Sequence, residues 1–299
     1  VRVAAAIASL IAVAAAASIA AAGPVAAVVA DDDARRATLI GPSGQVWLGD
    51  GAGAWIRRKA GGVSADVAGA TRIGDAIVVS GTETPMFRFD GERWTALRLG
   101  QSGKTILGRG PIGAVAIGRH VFVHHQNKWV RVGMAPPNPI AVWASSPKRV
   151  FVVTAAGTHS LRGVNFVRTT NRVDAIVGSA PWGVTDSGLV DLSRGGRMVV
   201  PARDIVAAAG SGTTAWAVAG AAGGKQQLIG VVGGKPKTIE TPIAGGTAIA
   251  GIAADAGGRV VIATTAGDVH LWSGEAWTTG KVTDELPAAR PGSGPARTK

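Results

Sequence analysis

Apolar residues in this chain fall in short runs of about five, separated by breaks centred on glycine. The pattern is clearest over residues 249–282, where apolar runs at 249–253, 259–263, 268–272 and 276–282 alternate with three breaks. Those breaks are Asp255-Ala256-Gly257-Gly258, Ala266-Gly267 and Ser273-Gly274. Glycine reaches positive φ without steric penalty, so each break suits a tight turn. Runs of this length between such turns predict an antiparallel four-stranded meander. A single meander cannot bury both its faces, so copies must stack on one another.

Copies are present along most of the chain. Taking the Gly or Asn of each third turn as a marker gives Gly61, Gly91, Asn127, Gly163, Gly195, Gly233 and Gly274, at intervals of 30, 36, 36, 32, 38 and 41 residues. This is the period of a four-stranded propeller blade without large insertions. The expected fold class is therefore all-β: a seven-bladed β-propeller of four-stranded antiparallel blades over residues 37–282, running from Ala37 to Val282. In the first blade, 45–49 is expected as the second strand and 54–58 as the third; after the sixth, 241–247 reads as the longest insertion. Trp94, Phe166 and Trp277 follow their markers by three residues and Trp129 by two. An aromatic at the start of an outermost strand can cover the groove between neighbouring blades, so inter-blade packing is expected of all four.

Composition agrees with this class. The 299 residues include 44 glycines and are 46% hydrophobic, with no block rich in helix-favouring Leu, Glu and Lys. Residues 1–30 differ from the rest. Arg2 precedes an uncharged stretch over 3–22, then Gly23-Pro24, then Val28-Val29-Ala30 and Asp31-Asp32-Asp33. A basic start, an apolar core, a helix breaker and small residues at minus three and minus one describe an export signal peptide cleaved after Ala30. The alternative is a retained N-terminal membrane anchor helix, since twenty apolar residues can span a bilayer, although this stretch is mostly alanine. Both readings place the body outside the cytoplasm, periplasmic or secreted. The end of the chain, 283–299, is rich in Pro and Gly and reads as a disordered tail.

The formal net charge is +12, which would draw the chain to anionic partners. No basic run exceeds Arg57-Arg58-Lys59, and bases spread in this way read as solubility charge. With no cysteine there is no disulfide, thiolate metal site or cysteine nucleophile.

The segment Asp255-Ala256-Gly257-Gly258-Arg259-Val260-Val261-Ile262-Ala263-Thr264-Thr265-Ala266-Gly267-Asp268-Val269 resembles the repeat of the two-component-regulator type propeller. Gly44-Gln45-Val46-Trp47 and Phe89-Asp90-Gly91 echo it. The segments 94–97 and 129–132 are also similar to tectonin-type lectin repeats, in which a Trp ends one blade. Such propellers serve as sensors, lectins, lyases and scaffolds, so the resemblance carries architecture rather than activity.

Candidate chemistry is sparse. Gly100-Gln101-Ser102-Gly103-Lys104-Thr105 imitates a phosphate-binding loop, but Arg98 stands where the motif needs glycine and a strand is expected after Thr105. His120 and His124 lie four apart on one expected strand, roughly 13 Å apart and too far to share a metal. His159 and His270 each precede their markers by four residues, at equivalent places in different blades; His125 completes the five. Acids are scattered, and the absence of tyrosine removes a nucleophile used by some propeller hydrolases. The innermost runs at 140–142, 205–207 and 249–251 are small and neutral.

The function expected is therefore an exported, non-catalytic binding, sensor or scaffold module, a WD40-like site of ligand binding or protein–protein interaction. Its partner would be a protein, peptide or glycan. The alternative is a propeller lyase or hydrolase, or a tectonin-like lectin, with its site on the central face. No catalytic, cofactor-binding or metal residue is assigned, no cofactor is expected, and the binding residues are unknown. Among partners, an anionic envelope component is a further candidate, specific nucleic acid is not, and a membrane enters only if the N-terminal helix is retained. A monomer is expected.

Overall fold

The computed structural model describes residues 24–29, 34–49, 54–59, 62–63, 66–83, 85–108, 110–178, 180–220 and 224–283. Within them the chain is all-β, apart from two short 3-10 turns, Ala34–Arg36 and Leu192–Arg194. Among the described residues no helix is long and apolar enough to cross a membrane. Of the signal or anchor expected over 1–30, residues 1–23 lie outside the described residues, as do residues 284–299 of the tail expected over 283–299.

The first sheet orders β1 (Ala27–Val29), β2 (Thr38–Ile40), β3 (Val46–Gly49) and β4 (Trp55–Lys59). The next comprises β5 (Gly69–Ile73), β6 (Ala76–Ser80), β7 (Met86–Phe89) and β8 (Trp94–Leu97). Two further antiparallel runs follow: β9 (Thr105–Leu107), β10 (Ala114–Ile117), β11 (His120–His125) and β12 (Lys128–Met134), then β13 (Pro139–Ser146), β14 (Arg149–Thr154), β15 (Gly157–Arg162) and β16 (Asn165–Arg168). A single parallel pairing, Met134 with Asn165, joins β12 to β16 and makes these two runs one eight-stranded sheet. Three more four-stranded sheets complete the chain. They are β17 (Ala175–Val177), β18 (Trp182–Thr185), β19 (Gly188–Asp191) and β20 (Arg197–Pro201); β21 (Ile205–Ser211), β22 (Thr214–Gly220), β23 (Lys225–Val232) and β24 (Lys235–Ala244); and β25 (Ile249–Ala254), β26 (Val260–Thr264), β27 (Asp268–Trp272) and β28 (Trp277–Lys281).

The first strands of successive runs touch: β1 with β5, β5 with β9, β9 with β13, β13 with β17, β17 with β21, and β21 with β25. β25 then touches β1, so the sequence of contacts returns to its start. Each apolar cluster fills the space between two neighbouring runs. Trp47 and Leu39 meet Val261 and Leu271; Ile40 and Val46 meet Ile77 and Phe87; Val78 and Met86 meet Val115 and Phe122. Because both faces are covered, second strands read as unbroken apolar runs, and β6, β10 and β26 are buried at every position. Outermost strands carry the polar residues.

Six of the seven marker residues occupy third turns and adopt positive φ: Gly91, Asn127, Gly163, Gly195, Gly233 and Gly274. The seventh, Gly61, lies outside the described residues; it follows the end of β4 in the sequence, so it cannot mark the connection between β3 and β4. This error has the same origin as a larger one. The run expected as the second strand of the first blade, 45–49, contains β3, the third strand. The strand that precedes both, β1, lies within residues 1–30, which the sequence assigns to the export signal. Ala27, Val28 and Val29 pair with Ile40, Leu39 and Thr38, and Val25 is buried with Trp47 and Val261. The folded part therefore begins at Pro24 at the latest, not near Ala37. Small residues and valines serve an export signal and an inner strand equally well. The expected insertion at 241–247 is also corrected: β24 continues to Ala244, which pairs with Lys225 across a bulge.

Candidate functional site

The first strands carry small side chains because their inner faces converge on a common axis. There they enclose a cavity of about 160 Å³, to which Val28, Thr71, Arg72, Gly178, Gly210 and Ile252 contribute. Apart from Arg72, its lining consists of apolar, glycine and threonine residues. The small neutral runs expected innermost, 140–142, 205–207 and 249–251, lie on first strands β13, β21 and β25. The cavity, however, is lined by later residues of β21 and β25, Ala209, Gly210, Ile252 and Ala254, whereas Val206 and Ile249 line a different cleft. Sequence reasoning misses Arg72. It sits on β5, whose sequence Gly-Ala-Thr-Arg-Ile resembles the other inner strands less than they resemble each other.

A larger cleft, about 510 Å³, opens between the β21–β24 and β25–β28 sheets. Asp204 and Lys225 supply its charges, Val206 and Ile249 its apolar surface, and Gly220, Gly224, Gly245 and Gly246 expose backbone along it. Asp204 itself adopts φ 54°. Gln226, 4% exposed, donates from Nε2 to the Thr247 carbonyl at 2.9 Å. Its own main-chain carbonyl accepts from the Thr241 hydroxyl at 2.8 Å. Lys225 pairs with Glu240. These contacts fix the wall formed by the β21–β24 sheet and the link that follows it, and glycine at the rim lets a ligand approach the main chain closely. The sequence offers a signal in the two glycine-containing connections that flank β23 and β24, the second of which falls within 241–247, read from the sequence as an insertion.

The histidines are not brought together. His120 and His124 share β11; the His124 ring meets Trp129 edge-on, centroids 5.4 Å apart. Burial, and then the Arg88 charge, lower the His124 pKa. His159 and His270 occupy third strands of different sheets, each 7% exposed. His270 Nδ1 lies 3.1 Å from Thr279 Oγ1. Burial lowers its pKa, against an opposing effect of Asp268. Among the described residues no group of three or more His, Cys, Asp or Glu could hold a metal ion. Thr105 opens β9, so no helix follows the Gly100–Thr105 segment that imitates a phosphate loop.

Asp174, which precedes β17, has its pKa raised, first by burial and then by Asp186, with Arg172 opposing.

The four aromatics lie between sheets, each half-buried. Trp94 donates from Nε1 to the Gly44 carbonyl at 2.8 Å, bridging to the first sheet. Trp277 likewise donates to the Glu240 carbonyl at 2.9 Å, bridging to the β21–β24 sheet. Trp129 packs against the cluster of Val115 and Phe122, and Phe166 against that of Val121 and Leu161. Trp55 opens β4 at the equivalent place and is 3% exposed.

No protein-family model matches the chain, and no curated protein sequence matches it. Solved structures do. A streptogramin B lyase structure is similar with TM-score 0.60 and 15% identity, over 83% of this chain and 93% of that one. The WD40 β-propeller domain of Doa1 is similar with TM-score 0.58 and 12% identity, over 85% and 94%. YCF48 from Cyanidioschyzon merolae is similar with TM-score 0.51 and 16% identity, over 80% and 92%. At these identities the likeness shows the fold, a β-propeller, and no more.

Proposed function

We propose that this chain is an exported, non-catalytic seven-bladed propeller that binds a protein, peptide or glycan, with the cleft between its last two blades as the binding site. Counting seven blades treats β9–β12 and β13–β16 as separate blades, since a single pairing joins them, with β25 closing on β1. The observation that carries the reading is the contrast between two linings. The central cavity is small and nearly without charged side chains, whereas the cleft is about three times larger and combines Asp204, Lys225, exposed backbone and apolar surface. A few placed polar groups in a mostly apolar, preformed recess are what a ligand site needs. Export rests on residues 1–22, with cleavage after Ala22; Ala20-Ala21-Ala22 meets the small-residue rule and leaves β1 in the mature chain.

The test is binding of arrayed peptides and glycans by the whole chain, its Val206→Asp variant and its Asp204→Asn/Lys225→Met variant. Saturable binding that both variants weaken about tenfold or more supports the cleft. Ligands bound equally well by all three proteins would overturn it.

The enzyme reading would rest on Asp174, whose pKa is raised by burial and then by Asp186. Turnover of a lyase or hydrolase substrate that Asp174→Asn abolishes would replace the binding reading.

A further inference from the structure

Charge is distributed very unevenly around the ring. Between Glu92 and Asp174 the sequence holds twelve Arg and Lys residues and no Asp or Glu. The remaining 19 of the 31 bases equal the 19 acids, so this stretch accounts for the whole net charge of +12. It contains β9–β12 and β13–β16, the two runs joined through Met134 and Asn165. Folding therefore gathers the excess on one side of the molecule. On the flank nearest to it, Asp90 is already engaged with Arg93 at 3.7 Å.

The turns concentrate the charge further. In an antiparallel run of four strands, the first and third turns lie at the same end. The β11–β12, β13–β14 and β15–β16 turns consequently share one end of this double unit, and Lys128, Lys148, Arg149 and Arg162 are exposed there. Apolar side chains project among them. Val164 is 72% exposed at the tip of the β15–β16 turn, and Val130, Met134 and Val167 are exposed on β12 and β16. These are four of the seven large hydrophobic residues exposed among the described residues.

Cations alone would suit any polyanion, but the protruding aliphatic residues narrow the choice. Single-stranded nucleic acid is gripped by exposed aromatic rings, and here the aromatic, Trp129, is half-buried against His124. A bilayer with anionic headgroups accepts both elements: headgroups take the cations, and the interface beneath takes valine and methionine. We propose that the side built from β9–β16 docks, by the end bearing its third turns, on an anionic lipid surface. This surface is separate from the central cavity and the cleft, so it stands whether or not either takes a ligand.

Flotation of the whole chain with phosphatidylcholine vesicles, with and without phosphatidylglycerol, tests the proposal. The expected result is binding that requires phosphatidylglycerol, weakens as salt is raised, and falls about tenfold or more in Lys128→Ala/Lys148→Ala/Arg162→Ala. Val164→Asp should reduce binding similarly while all bases remain. The control Lys235→Ala/Lys237→Ala/Lys281→Ala, on the far side of the ring, should bind as the parent does. The altered side chains are exposed, so unchanged urea midpoints will show that the variants fold. Equal binding to neutral vesicles, an equal loss in the control, retention of binding in Val164→Asp, or affinity confined to heparin or DNA would each overturn the proposal.

Discussion

The Asp255 carboxylate accepts the main-chain N–H of Ala34 at 3.2 Å, across 221 residues of sequence. Asp255 is 1% exposed and also receives the Arg259 N–H at 3.0 Å and the Arg259 Nε–H at 2.6 Å. The β25–β26 turn is thereby fastened to the 3-10 turn between β1 and β2. The Trp47 indole donates to the Thr283 carbonyl at 3.0 Å, and Trp55 forms a parallel bridge with Val282. The first and last sheets meet through these bonds as well as through apolar contact.

Asp255→Ala should therefore destabilise the protein by about 3 kcal/mol, because it removes the acceptor of the buried Ala34 N–H and of the Arg259 Nε–H together. Urea unfolding of the variant checks this. A change below about 0.5 kcal/mol, typical of a surface site, would show that ring closure does not depend on the carboxylate.

The start of the folded chain can be tested by truncation. A chain beginning at Gly23 should match the full-length protein in stability, whereas one beginning at Asp31 loses β1. Val25 and Val29, 2% and 4% exposed, contribute about 1.5–3 kcal/mol each. The three pairings of β1 with β2 go with them. The shorter chain should unfold at a clearly lower temperature. Equal midpoints would return the boundary to Ala30, and mass spectrometry of exported protein should find Gly23 as the first residue.

Most of the fold is legible in the sequence because both faces of each sheet are covered, so strand positions appear as plain apolar runs between glycines. Six turn markers stand out because Gly91, Asn127, Gly163, Gly195, Gly233 and Gly274 need positive φ, which few residues supply. The first sheet is misread where two demands produce one composition: Ala27, Val28 and Val29 fit a signal's end and an inner strand alike. The cleft is not legible, since Asp204, Gln226 and Thr247 are distant in sequence and meet only when the strands of the β21–β24 sheet pair. The charge asymmetry is present in the sequence but escapes a search for basic runs. Such a search detects clusters of arginine, whereas this side is marked by the lack of any acid between Glu92 and Asp174.

Acid sensitivity should carry two opposing contributions. Burial holds the His270 pKa below its ordinary value of 6.5. As pH falls below that value the unfolded chain takes up a proton that folded His270 refuses, so stability declines. Asp174, raised above its ordinary 3.8, acts the other way: its folded form takes the proton first, and stability rises as pH falls toward that value. His270→Gln should thus lessen the loss between about pH 7.5 and about pH 5.5. Asp174→Asn should raise stability at neutral pH by less than about 1 kcal/mol, given its partial exposure. Thermal midpoints across that range measure both. A steeper loss in His270→Gln, or a lower neutral midpoint in Asp174→Asn, would reverse the corresponding sign.

Packing and ligand stacking at the repeated aromatics differ in what truncation should cost. A fully buried tryptophan costs about 3–5 kcal/mol when cut to alanine. Trp94 and Trp277 are half-buried, which lowers the expectation, but each also donates its indole N–H to a neighbouring sheet, at 2.8 and 2.9 Å. Each ring lies beside a second aromatic, Phe89 at 4.9 Å and Trp272 at 5.4 Å between centroids. Together these predict a loss of about 2–3 kcal/mol for either alanine variant. Trp94→Phe and Trp277→Phe should retain most of the packing and lose about 1 kcal/mol through the missing donor. Trp129, which packs on Val115 and Phe122, should resemble them on truncation. Near-parental stability in all three alanine variants, with glycan binding abolished, would instead make these rings the platforms of a lectin. The hydrogen bonds argue for packing, because a ring fixed by its N–H to the next sheet links neighbouring blades whatever its outer face meets.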